Sequence, residues 1–493
     1  MGTDAAKAQG LAGRVVRGGT ALVIRQVLIH GLSLLGGLVL LRFLQPEDLA
    51  VYAVITVLRD WYGTLSDLGL GTTLIQQSAP IRPEQQQGLF CLQCLVSLVV
   101  ALALTCADPL IVAGFGWPTQ ARGVLTLVGW GLLFVPLRWI PAILLQRELL
   151  LDRFAFVEVS ETLSFIAVAL VGAAAGGGSW ALGWGMVARF ACGAGVANLL
   201  QRWPIGWRWP WKSELRWRLG LGYQAGLVLT LLKESTLPVL LGLLLNARAI
   251  GLLKWALTIA NLPLVLPLSL DRLTFPLMSR MAQQPEQFRL WVVRTMQLNA
   301  LVVWWLSALL VVLAEPLVHT LFGNQWLPAL PYLYGLLPIA LVYAPLLAVI
   351  QAHQALAQPE VNFWLNCSWL IVLWPLSWLL VPQLGAMGFV IASVSINVAS
   401  LVVIVRASRI FKISVFQHTW PAATAGLLAA ATGYGALRVL STMNLPLVLL
   451  VALAMSAVYA GGLWLGWRDL LSQVFAALRA EFRRTRPIQE AGS

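Results

Sequence analysis

Apolar stretches of about 20 residues, each long enough to cross a bilayer as a helix, follow one another almost without pause along the chain. Fourteen spans are expected, near 20–41, 48–68, 88–107, 122–145, 155–176, 180–200, 220–245, 249–271, 290–313, 329–350, 362–381, 386–406, 420–440 and 445–466. The first is too long for a signal peptide, contains Arg25 and His30, and is followed by no small-residue cleavage site before Arg42. Polar residues recur at helical spacing inside several spans. The first span aligns Gln26, His30, Ser33 and Gly37, with Arg25 beside them. The second aligns Tyr52, Thr56, Arg59, Gly63 and Asp67, with Asp60 next to Arg59. The seventh carries Tyr223, Gly226, Thr230 and Lys233 with Glu234 adjacent. The eighth carries Thr258, Asn261 and Arg272, and its Pro263 and Pro267 free backbone carbonyls and permit a bend. A charged side chain at a helix centre costs about 2.5–3.5 kcal/mol to insert, so these stripes predict a wet cavity or an internal partner rather than lipid.

A longer period overlies the helical one. Phe115-Gly116-Trp117 is echoed by Phe322-Gly323 and Trp326, Leu145-Gln146-Arg147 by Ile350-Gln351, and Gly183-Trp184 by Gly388-Phe389. Asp48-Leu49-Ala50-Val51-Tyr52 has a weaker echo in Ala249-Ile250-Gly251-Leu252-Leu253. The offsets cluster between about 200 and 207 residues, or six spans, so the two halves would share one orientation in the membrane. The expected organisation is a cytoplasmic segment 1–19, an N-lobe 20–200, a basic, Trp-rich linker 201–219, a C-lobe 220–412, two further helices in 420–466 and a basic tail 467–493. The fold class is an all-α polytopic membrane protein with two pseudo-symmetric six-helix bundles and two C-terminal helices.

Composition agrees: 59% of residues are hydrophobic and 11% charged, with a mean hydropathy of +0.80. No polar stretch is long enough for a separate soluble domain, which removes membrane enzymes that build their site outside the bilayer. The net charge of +13 would suggest nucleic acid in a soluble protein. Here its placement argues for topology instead. With the N-terminus inside, 23 of the 33 Lys and Arg fall in cytoplasmic segments and 5 outside, so both termini are expected in the cytoplasm of a bacterial-type inner membrane. Cys91, Cys94, Cys106, Cys192 and Cys367 all lie in apolar spans and read as small buried hydrophobes; the Cys91–Cys94 pair lacks the second pair that a zinc site needs. No metal site, nucleophile or Gly-Lys-Ser/Thr phosphate loop is evident, and no cofactor or catalytic residue is expected.

The charged positions admit competing readings. Arg25 lies about 8 Å from its helix start, so snorkelling competes with lining a cavity. Arg59 is mid-span and either lines the cavity or pairs with Asp60. Lys233 either faces the cavity or pairs with Glu234, and Arg272 either gathers phosphate or decorates a helix end. His30 is a titrating group or a satisfied core histidine. Glu158 and Glu161 in the fifth span and Arg189 in the sixth form an inter-helix pair or couple an ion. The candidate cavity residues are therefore Arg25, His30, Arg59, Asp60, Lys233, Glu234, Asn261 and Arg272. In the tail, Leu470, Leu471, Val474, Phe475, Leu478 and Phe482 form an apolar face beside Arg479, Arg483, Arg484 and Arg486, which suits an in-plane helix on an anionic leaflet or a partner-docking site.

Several motifs carry a resemblance. Leu41-Arg42-Phe43-Leu44-Gln45-Pro46-Glu47-Asp48 with Tyr52, then Asp67-Leu68-Gly69-Leu70-Gly71 and Leu74-Ile75-Gln76, form an opening signature. Phe275-Pro276-Leu277-Met278-Ser279-Arg280 and Leu321-Phe322-Gly323-Asn324-Gln325-Trp326 with Pro328-Ala329 follow. Over roughly Arg14 to Lys412 the chain resembles the polysaccharide (O-antigen or oligosaccharide) flippases of the multidrug/oligosaccharidyl-lipid/polysaccharide exporter superfamily. Ala50 stands where that family often has glycine, and Lys233-Glu234 where it often has aspartate. The resemblance implies two six-helix bundles in a V that alternate between inward- and outward-open states. It also implies as cargo an oligosaccharide on a polyprenyl diphosphate, moved from the inner to the outer leaflet. Arginine forks at Arg25, Arg59 and Arg272 suit a diphosphate. The many Trp can stack on sugars, although Trp203, Trp207, Trp209, Trp211 and Trp217 read as an interfacial belt.

Rival readings are a multidrug/cation antiporter of the same superfamily, which would want an acidic cavity, and a peptidoglycan lipid-precursor flippase. A membrane glycosyltransferase or polymerase would want a large external loop with catalytic acids. The expected partners are the bilayer, the lipid-linked oligosaccharide and polysaccharide polymerase or assembly proteins, with no nucleic acid. Coupling would draw on a proton or sodium gradient or on the membrane potential.

Overall fold

Proline and acid at the head of an apolar run mark where helices begin. Pro46 opens α2 (Pro46–Leu65), where its missing N–H costs nothing, and the Asp48 carboxylate accepts the Gln45 N–H at 2.9 Å. α3 (Pro83–Gly114) starts the same way, Gln85 Oε1 accepting the Arg82 N–H at 3.1 Å. The computed structural model describes residues 31–467 except 34, 67–69, 72–73, 75–79, 118, 149, 210–230, 233–234, 236–238, 357, 359 and 440–443. Within them, α1 (Gly31–Leu41) precedes α2. After α3 come α4 (Val124–Arg147), which contains a 3-10 turn at Leu132–Phe134, α5 (Leu151–Ala174) and α6 (Ser179–Leu200). A short α7 (Leu241–Leu244) leads to α8 (Ala247–Ala260), α9 (Val265–Met281), α10 (Pro285–Leu317), α11 (Leu330–Ala355) and α12 (Glu360–Leu384). The last four are α13 (Ala386–Ser395), α14 (Asn397–Ile410), α15 (Val415–Val439) and α16 (Leu445–Gly466). No strand occurs among the described residues.

Among those residues, nine helical runs are long and apolar enough to cross a membrane. α2, α6 and α15 add helices of 20, 22 and 25 residues. The expected spans 20–41 and 220–245 lie largely outside the described residues, as does the basic tail. Outward-facing side chains are large and apolar: Leu110 is 75% exposed, Val171 73% and Leu465 88%. Acyl chains tolerate such faces where water would not. The expected eighth span is broken once rather than twice. A 3-10 turn at Leu262–Leu264 is built on Pro263, whereas Pro267 falls in the first turn of α9, a position that needs no N–H donor.

The chain packs as two compact units. The first comprises Met1–Ile259, Leu321–Gly335 and Asn366–Ile396; the second comprises Ala260–Thr320, Leu336–Leu365 and Asn397–Ser493. In the first, Leu89, Leu92, Ile140, Ile143 and Trp203 form one core cluster, and Ala142, Leu145, Phe154, Val157 and Ala197 another. Trp203 is therefore not part of an interfacial belt. It is buried edge-on to Phe90, with its Nε1 donating to Asn198 Oδ1 at 2.9 Å, while Trp207 and Trp209 are exposed. In the second unit, Ala422, Ala425 and Ala429 of α15 bring it close to Val448, Val451, Met455 and Tyr459 of α16. Of the cysteines Cys91 is buried and Cys106 exposed, so the expectation of uniform burial fails at Cys106.

The echo between the halves has a local counterpart. α3 and α10 are 32 and 33 residues long. A glycine with positive φ follows each, Gly116 at 60° and Gly323 at 102°, and then a buried tryptophan, Trp117 or Trp326. The motif residues also pack on one another inside the first unit. Trp326 donates from Nε1 to the Leu41 carbonyl at 2.9 Å and stacks 6.0 Å from Trp255, while Gly251 lies flush against the Pro46 carbonyl. Asp48 lies against the Gly178–Ser179 start of α6.

Candidate functional site

Four helices of the first unit each bring a charged side chain into one cleft. Arg59 and Asp60 come from the last turns of α2, Arg138 from α4 just after its 3-10 turn, Glu161 from α5 and Arg189 from α6. Glu161 and Arg189 are each the eleventh residue of their helix, about 15 Å from its start at 1.5 Å per residue. That is near the middle of helices of 24 and 22 residues, and an ionised group midway along a membrane-spanning helix needs a partner or water. The cleft encloses about 480 Å³ and is also lined by Tyr62, Gly63, Thr64, Val135, Trp139 and Phe190.

Its charges are unevenly matched. Arg138 Nε donates to Glu161 Oε1 at 2.6 Å, with a second, longer contact of 3.5 Å from Nη2 to Oε2. This pair is largely buried, at 17% and 9% side-chain exposure. Arg59 binds Asp60, its neighbour on the same helix, through Nη2 at 2.7 Å and Nε at 2.9 Å, and this pair is wetter, at 31% and 47%. Arg189 donates to no acceptor among the described residues, although Glu161 is near enough to act on it electrostatically. Among the described residues, three guanidiniums against two carboxylates leave one positive charge over. The frame around them is neutral. Tyr52 of α2 stacks on Phe165 of α5 at 5.8 Å, and the Tyr62 hydroxyl meets Ser97 Oγ of α3 at 2.6 Å. Such a site can hold an anion by charge-assisted, bidentate hydrogen bonds. Among the described residues no three His, Cys, Asp or Glu side chains converge as metal ligands.

Of the cavity residues expected from sequence, Arg59 and Asp60 line this cleft, and Arg59 pairs there with Asp60. Asn261 sits exposed in the turn between α8 and α9, its carbonyl accepting the Leu264 N–H at 3.0 Å, and it belongs to the second unit. Arg272 is on α9, but its side chain lies outside the described residues, as do Arg25, His30, Lys233 and Glu234 altogether. The expected pairing of Glu161 with Arg189 is replaced by a pair with Arg138 of α4, because the α4 guanidinium reaches the carboxylate directly. Arg138 was the residue missed. Its signal was the same as that of Arg59, a lone arginine inside an apolar span, here flanked by Pro136 and Pro141.

A profile described as polysaccharide biosynthesis protein matches residues 39–331, more than half of the chain. The chain belongs to that family. Solved structures supply the fold. A lipid II flippase MurJ in an inward closed conformation aligns at a TM-score of 0.70 and 13% identity, over 93% of this chain and 99% of that one. An inward-facing multidrug resistance MATE family transporter of the MOP superfamily aligns at 0.58 and 15% identity, over 78% and 94%. A MOP superfamily transporter from Pyrococcus furiosus, described by the reverse polarity of its binding pocket, aligns at 0.53 and 15% identity, over 80% and 95%. Comparison with curated proteins returns no match. The family member is thus a multi-pass, all-helical membrane protein with the fold of these transporters.

Proposed function

We propose that the protein is a flippase that carries an oligosaccharide on a polyprenyl diphosphate from the inner to the outer leaflet, without catalytic chemistry of its own. The observation that carries this reading is the cleft of Arg59, Arg138 and Arg189, at membrane depth and with one guanidinium in excess of its carboxylates. A diphosphate offers two bidentate acceptors to such a set, and a glycan offers none of equal strength. Membership of a polysaccharide biosynthesis family supports the glycan on the diphosphate. A flippase of lipid II among the fold relatives supports lipid transfer as something this architecture can do. A cation exporter is disfavoured, because its cargo would meet surplus positive charge. Outward movement of two negative charges from a negative interior is downhill by about 4–5 kcal/mol at 100 mV, so the membrane potential alone offers a driving force.

Reconstituted vesicles test this. A fluorescent polyprenyl-diphosphate oligosaccharide, loaded in the inner leaflet, becomes open to an external glycosidase only after flipping. Wild type is expected to expose it at least about tenfold faster than Arg189→Ala or Arg59→Ala, the effect of losing one charge-assisted contact. Equal rates in all three would overturn the proposal.

A further inference from the structure

We propose that Glu161 is a built-in counter-anion, which occupies Arg138 in the empty cleft where a substrate phosphate sits on binding, and thereby sets how tightly and how briefly the cleft holds its cargo. This deepens, and rests on, the reading of the cleft as a diphosphate site. The geometry of the pair is the starting point. Arg138 presents Nε and Nη2 side-on to both Glu161 oxygens, at 2.6 and 3.5 Å, the same fork that a phosphate would fill. Asp60 cannot play this part, since it is spent on its helix neighbour Arg59 at the wetter side of the cleft. Among the described residues that line the cleft, Glu161 therefore stands as the carboxylate between an incoming anion and the deeper guanidiniums of Arg138 and Arg189.

The surroundings allow exchange. Glu161 lies flush against α6 at Gly193, where an added Cβ would overlap its carboxylate. Arg189 is on the same helix, and Arg59 also feels the Glu161 charge. In the same position the Arg138 guanidinium also lies 5.8 Å from the centre of the Trp139 ring, a contact that does not depend on Glu161. A buried pair that served only to staple α4 to α5 would have no need of a further guanidinium beside it without an acceptor. A carrier has one. With Arg138 and Arg189 both bare, the cleft would grip a diphosphate too well to let it go, and a binding step must be favourable enough to load yet weak enough to release. A resident carboxylate competes with the phosphate and weakens the hold.

Isothermal titration of inorganic pyrophosphate into the full-length protein in nanodiscs, paired with the vesicle assay, tests the assignment. Glu161→Gln keeps an acceptor for Arg138 but removes the competing charge. It is expected to bind pyrophosphate at least about tenfold more tightly than wild type, and to lower both the apparent KM and the maximal flipping rate. A purely structural role would not produce that joint fall. Glu161→Asp, which keeps the charge but shortens its reach, should fall between the two and carries the test if the glutamine variant does not fold. If Glu161→Gln binds no tighter, while Arg189→Ala still loses binding, the counter-anion is overturned and the diphosphate site stands. If neither wild type nor any variant binds pyrophosphate, both fall together.

Discussion

Between described residues, ion pairs form in the first unit: Arg138 with Glu161 and Arg59 with Asp60 in the cleft, Arg208 with Glu84 and Arg248 with Glu47 elsewhere. Neutral hydrogen bonds fasten helices of the second unit. The Tyr459 hydroxyl of α16 donates to the Leu301 carbonyl of α10 at 2.7 Å, Trp305 Nε1 to Ser456 Oγ at 3.1 Å, and the Asn299 amide to the Ala344 carbonyl of α11 at 3.2 Å. Around them lie small alanines and apolar side chains. Neutral bonds and close backbone approach thus join helices in this chain. Charges taken out of water carry a desolvation penalty that such bonds avoid. The largely buried Arg138–Glu161 pair, with Arg189 beside it in the same cleft, is therefore better accounted for by cargo than by cohesion.

The sharpest way to break that comparison is to leave the cleft charges unbalanced. Glu161→Ala strands Arg138 beside Arg189 and Arg59, and removing one partner of a buried pair costs about 3–5 kcal/mol. Reversible unfolding in mixed micelles should show a loss in that range. A loss below about 1 kcal/mol would mean that the pair is as wet as a surface bridge and that the two units do not differ in kind. A smaller effect is expected from Gly193→Ala, because the new methyl overlaps the Glu161 carboxylate on α6. Overpacking of this sort costs about 1–3 kcal/mol. Made together, the two substitutions should cost less than their sum, since the alanine at 161 removes the group that the methyl strikes. Strict additivity would show that Gly193 makes room for something else.

How much of this could be read in advance depended on range. The spans were legible because hydropathy alone sets them: α16 runs over 445–466 as expected, and α6 over 179–200 against an expected 180–200. α3 was under-read at 88–107 against 83–114, because its start is set by Pro83, Glu84 and the Gln85 cap rather than by apolar residues. In the cleft, Arg59 and Asp60 were legible from a charge doublet deep in a span. The partner of Glu161 was not, because helical periodicity says which residues share a face of one helix and nothing of which neighbouring helix turns an arginine toward it. Trp203 was misplaced for a related reason. Its neighbours in sequence are basic and aromatic, yet Phe90 and Asn198 draw it inward through tertiary contacts.

The smallest effect belongs to the second unit. Tyr459→Phe deletes the 2.7 Å bond to the Leu301 carbonyl without opening a cavity, since only the hydroxyl is lost. That carbonyl is in the interior of α10, where the backbone bond to the next turn still satisfies it. Side-chain hydrogen bonds between membrane helices average about 0.6 kcal/mol, because the unfolded chain in the membrane finds other partners. The same unfolding experiment should therefore show about that loss, several times smaller than for Glu161→Ala. A loss as large as that of the glutamate variant would mean that neutral and ionic fasteners carry equal weight here. The charges of the first unit would then lose their claim to a separate purpose.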